Sequence, residues 1–374
     1  MIPVCEPTLK GNELKYVTKC VKSGWISSSG EFIKKFEDGF SEYCGVKYGV
    51  SCSSGTAALH LAIEAMGIGR GDEVIIPTFT MIGACNAVIY AGAKPVLVDS
   101  ELETWNMDTN KIEKKITKKT KAIMVVHTYG HPVFMDKVKE LSKRHNVPII
   151  EDAAEAHGAE YKGKKAGSLG DIAGFSFYAN KIITSGEGGM VVTNNEKWAK
   201  NAESLRNHYF GERRFLHKKV GYNYRLTNLQ AAIGLAQLER IGDYVESRRN
   251  NAKMYNRLLG NVKGLVTPPE AKWAKNVYWM YGLLVENEFG ISMIRLREIL
   301  SKNGIDTRTF FIGMHKQPAY REKDERFPDI LGRYPIADEL ERKGFYLPSS
   351  SHLKKEEITK IAEAIKTIHE EKKK

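Results

Sequence analysis

The chain has 374 residues, 42% of them hydrophobic and 27% charged, which is the composition of a folded globular protein and excludes global disorder. Its 57 Lys and Arg exceed its 45 Asp and Glu by 12. That excess suits nucleic acid or small anions alike, but no zinc-finger spacing, RNP signature or serine/arginine tract points to nucleic acid.

At roughly 150 residues per domain, the length predicts two units. No apolar run approaches the roughly 18 residues of a membrane span. Met1–Pro7 has neither the charged start nor the apolar stretch of a signal peptide, so the cytoplasm is the expected compartment. Cys5, Cys20, Cys44, Cys52 and Cys85 include no CxxC pair. Buried thiols are expected, with no disulfide framework and no metal site.

In chain order, Tyr48-Gly49-Val50 reads as a strand leading through Ser53-Ser54-Gly55-Thr56 into the helical Ala57–Ala62. Val74–Pro77 is the next strand, Ala84–Ala91 a helix and Pro95–Asp99 a third strand. The basic run Lys111–Lys121 reads as a solvated helix face and the tail 371–374 as a frayed end. Ala122–Val126 and Pro148–Ile150 are strands on either side of an amphipathic helix, Met135–Arg144. Strands separated by helices predict an α/β fold with a mostly parallel sheet and helices on both faces. Ile172–Tyr178 and Gly189–Thr193 then read as two strands joined by a Gly-rich turn, and helices dominate from Asn228 to Leu258. Tyr278–Val285 as a strand, with helices over Ile291–Asn303 and Lys355–Glu371, makes the end a smaller α+β unit. The expected units are 1–245, including the N-terminal segment, and 246–374.

In such sheets the ligand crevice lies beyond the carboxyl ends of the strands. Ser54-Gly55-Thr56 opens a helix there, so it is either a plain helix cap or a phosphate cradle made of free N–H groups, with the Thr56 hydroxyl as a further donor. Asp152, after the strand ending at Ile150, is either another cap or a carboxylate for a ring nitrogen. Lys181, either a solvated loop lysine or a nucleophile, lies between an apolar strand and Gly186-Glu187-Gly188-Gly189. Desolvation there would lower its pKa and favour attack on a carbonyl.

Five blocks in order carry a resemblance. They are Ser23–Ser27, Ser53–His60, Glu151–Gly158, Phe175-Ser176-Phe177 with Lys181 and Gly186–Gly189, and Gly221-Tyr222-Asn223-Tyr224-Arg225. From about Glu6 to Ile365 the chain resembles the DegT/DnrJ/EryC1/StrS family of nucleotide-sugar aminotransferases. The resemblance implies the aspartate aminotransferase-like type I fold, with pyridoxal 5'-phosphate as cofactor and pyridoxamine phosphate as its aminated form. It makes Lys181 the lysine that binds the cofactor and shuttles the proton, and Asp152 the partner of the pyridine nitrogen. Glu155, often Gln in relatives, falls near the ring and its 3-hydroxyl. Gly55, Thr56 and Ser176 fall on the phosphate cradle. Asn223 matches a residue that reaches this phosphate from a neighbouring subunit, which implies a homodimer. Where many members stack an aromatic ring on the cofactor, this chain has Met81, whose thioether also packs on an aromatic face; Phe79 is expected in the core.

On the substrate side, Trp25 and Ser27, the run Thr307–Phe311, His315 within Met314–Tyr320, and Gly344–Ser350 resemble the branch acting on a GDP-linked 4-keto-6-deoxy sugar. That resemblance implies amino transfer from L-glutamate to C4 of GDP-4-keto-6-deoxy-D-mannose, giving GDP-perosamine and 2-oxoglutarate. His315 is either a sugar or diphosphate contact or a surface histidine; Arg225 is either an anion clamp or a structural ion pair. Two rivals remain: an aminotransferase for a UDP- or dTDP-linked keto sugar, and a non-enzymatic regulator or nucleic-acid binder.

Overall fold

The computed structural model describes residues 1–371 apart from 212, 214 and 323; the last three residues of the basic tail, 372–374, lie outside it. Helices α1 (Glu13–Ser23) and α2 (Glu31–Cys44) lead the chain and end at Gly24 and Gly45, whose φ angles of 76° and 78° favour glycine. The alternation then runs β1 (Tyr48–Cys52), α3 (Gly55–Ala65), β2 (Glu73–Pro77), α4 (Ile82–Tyr90), β3 (Lys94–Val98), β4 (Thr120–Val126), α5 (Met135–His145), β5 (Ile149–Asp152), β6 (Ile172–Ser176) and β7 (Gly189–Thr193).

These seven strands form one sheet in the order β1-β7-β6-β5-β4-β2-β3. Strand β7 runs antiparallel to both of its neighbours, while the remaining pairs are parallel. Every residue of β6 and β7 is buried, as expected of a sheet covered on both faces. The mostly parallel α/β architecture is therefore as predicted.

The basic run is not a helix face. It makes two short 3₁₀ turns, Thr109–Lys111 and Glu113–Lys115, before β4 begins at Thr120. The run is cut by a turn, with the Thr120 N–H on the Thr117 carbonyl at 3.1 Å, that feeds it straight into β4, so its last residues are spent on a strand. Ile112 is instead buried, and Lys111 bonds the carboxylates of Asp99 and Asp108 at 3.2 and 3.3 Å.

After α6 (Glu196–Arg206), α7 (Asn228–Leu238) and α8 (Ile241–Leu259), a second sheet assembles from β8 (Leu265–Val266), β9 (Tyr281–Val285), β10 (Arg308–Thr309) and β11 (Gly344–Leu347). Its order is β8-β9-β11-β10, antiparallel throughout. Helices α9 (Met293–Lys302), α10 (Pro335–Lys343) and α11 (Lys355–Glu371) complete this part.

Among the described residues there are two hydrophobic cores, a larger one centred on the first sheet and a smaller one on the second, and α8 serves both. Ile241, Tyr244 and Val245 pack in the first, Ala252, Tyr255 and Leu259 in the second. The expected 245/246 boundary thus falls inside one helix that ties the two parts together. Cys20, Cys44, Cys52 and Cys85 are buried and Cys5 half-buried. No helix among the described residues is long and apolar enough to cross a membrane.

Candidate active site

Because β1, β2, β4, β5 and β6 run parallel, their carboxyl ends share one edge of the sheet, and the antiparallel β7 starts from the same edge. At the end of β1, the Ser54 hydroxyl caps α3 by accepting the Ala57 N–H at 3.1 Å. The N–H groups of Gly55 and Thr56 are left without intrahelical partners. The cap and the candidate anion cradle therefore coexist.

Gly55 has no room for a side chain: a Cβ there would lie 2.6 Å from the Ser176 Cβ and 3.1 Å from its Oγ. A Cβ on Gly189 would fall 2.2 Å from the Ser54 carbonyl oxygen. Thr56 Oγ1 would be 2.8 Å, and the Met81 sulfur 3.3 Å, from a Cβ on Gly83. Met81 Sδ accepts the Gly83 N–H at 2.9 Å while its side chain stays 49% exposed. Gly55, Thr56, Met81 and Ser176 are thus gathered around one helix start. Phe79 is fully buried against Tyr129, Phe310 and Phe311.

Strand β5 extends through Asp152, and no helix follows it, so Asp152 caps no helix. Its Oδ1 accepts the Ala154 N–H at 3.1 Å, and burial raises its pKa. Its neighbour Glu151 is wholly buried. It pairs with His127 Nε2 at 2.9 Å and accepts the N–H groups of Gly167, Leu169 and Gly170. The strand end is thereby fixed. Glu155 Oε2 accepts the Tyr129 N–H at 2.7 Å, and burial pushes the Glu155 carboxyl up to about 7. Lys181 is half-buried; desolvation lowers the pKa of its amine, while Glu155 and Asp152 pull the other way.

Three residues at this edge escape sequence reasoning. Tyr129 holds Glu155 through its backbone N–H from a left-handed conformation, φ 53° and ψ 15°, which is costly for a residue with a side chain. Trp279 lies with its ring centroid 3.8 Å from Lys181 Nζ. His157 is fully buried among Phe40, Phe175 and Phe177, and neither ring nitrogen has a hydrogen-bond partner. Burial lowers its pKa to about 3, with Lys181 adding to the effect. The available signals were slight: an aromatic before Gly130 at a strand end, and a tryptophan just before an apolar strand.

Of the expected substrate residues, Trp25 and Ser27 are exposed, whereas Arg225 and His315 are partly covered. Trp25 and Ser27 are exposed on the loop between α1 and α2, where Asn228 holds their carbonyls at 2.7 and 2.6 Å. Asn223 is exposed and its Oδ1 accepts Arg225 Nε at 3.0 Å; Arg225 Nη1 donates to Asn207 Oδ1 at 2.9 Å. The adjacent Tyr224 carbonyl accepts the Ser53 N–H at 2.8 Å, which brings this segment beside the end of β1. His315 is not a free surface histidine. Its Nδ1 meets Thr78 Oγ1 at 2.8 Å, its Nε2 meets Asp338 Oδ1 at 3.0 Å, and its ring packs on Tyr334. A direct contact from His315 to a sugar or diphosphate requires one of those bonds to open.

The model of the DegT/DnrJ/EryC1/StrS aminotransferase family matches residues 7–366. The GDP-perosamine synthase of Escherichia coli O157:H7 is 45% identical, covering 99% of both chains. That of Caulobacter vibrioides is 44% identical over 98% of both. Among solved structures, the putative sugar aminotransferase Spr1654 of Streptococcus pneumoniae, in its PMP-form, superposes with a TM-score of 0.90 at 27% identity over 100% of both chains.

Proposed function

The chain belongs to the DegT/DnrJ/EryC1/StrS aminotransferase family, and from that premise we propose that it moves the amino group of L-glutamate to C4 of GDP-4-keto-6-deoxy-D-mannose. The products are GDP-perosamine and 2-oxoglutarate, and the work is done in the cytoplasm. Identity of 44–45% along essentially the whole length of two GDP-perosamine synthases supports this choice of substrate.

Pyridoxal phosphate is the cofactor of this enzyme. The residues at the sheet edge fit it. The start of α3 lies so close to Ser176 that Gly55 can carry no Cβ, and it sets unpartnered N–H groups beside two hydroxyls, which suits a phosphate. When bound, the cofactor supplies an electron sink for the carbon that loses or gains a proton. The reading is carried by Lys181 lying near enough to Asp152 and Glu155, beside the ends of β5 and β6, for both carboxylates to act on its amine.

In this reading Lys181 would bind the cofactor covalently, and its amine, made less basic by desolvation, would carry the proton between the substrate carbon and C4′ of the cofactor. Asp152 would hold the ring nitrogen. Gly55, Thr56 and Ser176 would hold the phosphate, Met81 would pack on the ring, and Glu155, held by the Tyr129 N–H, would border the ring's hydroxyl. Asn223 reaches the phosphate of a partner subunit. Its exposure, with that of Trp25 and Ser27, is consistent with a homodimer in which a second copy completes each substrate site. Arg225 keeps Asn223 oriented, and His315 holds the Thr78 turn at the end of β2.

Product analysis with glutamate and GDP-, UDP- and dTDP-linked 4-keto-6-deoxy sugars tests the assignment. Only the GDP sugar should be aminated, and turnover of a UDP or dTDP substrate in its place would sink it. Lys181→Ala should abolish turnover while still binding pyridoxamine phosphate; full activity in that variant would remove Lys181 from the mechanism.

A further inference from the structure

Lys181 has a neighbour that its chemistry does not require. The Trp279 indole, contributed by the chain after α8, faces the ammonium at 3.8 Å from the ring centroid. It is 4% exposed. Its Nε1 donates to the Asn180 carbonyl at 2.8 Å, and its backbone N–H donates to the Tyr129 carbonyl at 2.9 Å. Its own carbonyl accepts Arg248 Nη1 at 2.7 Å, and the buried Arg248 is in turn tied through Nε to Ser351 Oγ at 3.0 Å. The Tyr129 ring lies nearly parallel to the indole at 6.3 Å. The Asn180 carbonyl, in the peptide unit just before the lysine, also accepts from Cys5 Sγ at 3.3 Å. One rigid indole therefore clamps the backbone ahead of Lys181 and presents its π face to the side chain.

We propose that Trp279 is a positioning residue that parks the Lys181 amine, as an ammonium, on its indole face in the cofactor-free protein. The proposal rests on Lys181 being the cofactor lysine. A ring quadrupole attracts an ammonium most strongly where water is excluded. The titratable groups around Lys181 are Asp152 and Glu155, which favour its charge, Cys5, and His157, which opposes it when protonated. Left to the carboxylates alone, the ammonium would be drawn into an ion pair with Glu155. The indole gives it a resting place that leaves Glu155 to the Tyr129 N–H.

The test is trace acetylation of the full-length protein freed of cofactor, read at Lys181 by peptide mass spectrometry across a lysine titration. Trp279→Leu should lower the labelling midpoint of Lys181 by about one pH unit, so that Lys181 labels faster near neutrality. Trp279→Phe, which keeps a smaller π face, should lower it by less. An unchanged or raised midpoint in Trp279→Leu overturns the proposal. Fluorinated tryptophan at all five tryptophan positions guards against misfolding, because it keeps the shape while weakening the π face. The midpoint must again fall, and an unmoved one overturns the proposal. Borohydride trapping of bound pyridoxal phosphate, followed by peptide mapping, separates the two readings. Cofactor on another lysine overturns both, whereas cofactor on Lys181 with an unmoved midpoint overturns only the role of Trp279.

Discussion

Gly55→Ala tests the phosphate cradle most directly. The added Cβ would lie 2.6 Å from the Ser176 Cβ, nearly 1 Å inside ordinary contact, so the start of α3 and the end of β6 must separate by about that much. Overpacking of this kind costs about 1–3 kcal/mol, of which better helix propensity returns at most about 1 kcal/mol. A net loss of about 1 kcal/mol is expected, measurable by urea unfolding. The larger effect falls on the ligand. A hydrogen bond to a charged group is worth about 1.5–3 kcal/mol, so losing one raises the Kd for pyridoxal phosphate about 10- to 150-fold. Absorbance titration with pyridoxal phosphate and with unphosphorylated pyridoxal isolates this contribution, because only the phosphate ester should bind worse. Adding Ser176→Gly removes the side-chain atoms at 2.6 and 3.1 Å and leaves the Cα at 3.2 Å. The double variant should regain stability without regaining affinity, a non-additivity expected only of residues in contact. Gly55→Ala with unchanged affinity for pyridoxal phosphate, or with pyridoxal weakened equally, would refute the cradle.

Asp152→Asn keeps the acceptor for the Ala154 N–H but removes the buried charge; kcat should fall on the order of 10²–10³-fold, with cofactor still detectable by absorbance. His157 supplies a pH dependence. Its pKa is about 3 in the fold against an ordinary 6.5, so the unfolded chain takes up the proton first and stability drops as pH falls below 6.5. The loss is about 2 kcal/mol by pH 5. His157→Leu should flatten that slope in cofactor-free unfolding curves, and an undiminished slope would argue against a buried neutral ring. His315→Ala removes the bonds to Thr78 and Asp338 and should cost about 1–2 kcal/mol. Asp338→Asn retains an acceptor and should lose little of that in the same assay.

Local patterning reaches the strand ends but not their neighbours. Runs such as Ala122–Val126 announce buried strands because a sheet covered on both faces needs apolar residues at every position. The rule that ligands bind beyond the carboxyl ends then picks out Gly55, Asp152, Ser176 and Lys181. The helix-or-strand choice at Asp152 depends on where β5 stops, and periodicity does not resolve a boundary of two residues. The same blindness let the 111–121 run pass for a helix. The order β1-β7-β6-β5 is a further step, since alternation of strands and helices is compatible with several orders. Only in that order does Gly55 press on Ser176, although they are far apart in the chain. Tyr129 and Trp279 were invisible for a deeper reason. Tyr129 contributes a backbone N–H presented by a left-handed φ, a property no side-chain chemistry signals. Trp279 is brought to Lys181 by α8, the helix whose two ends serve different cores. Trp279 packs in the first core with Tyr129 while its neighbour Tyr278 packs in the second, so the site sits at the joint between them and keeps its geometry only if that joint is stiff. The bonds from Trp279 to Asn180, Tyr129 and Arg248 cross that joint beside the reactive lysine. Loosening them should therefore disturb the lysine before it unfolds either core.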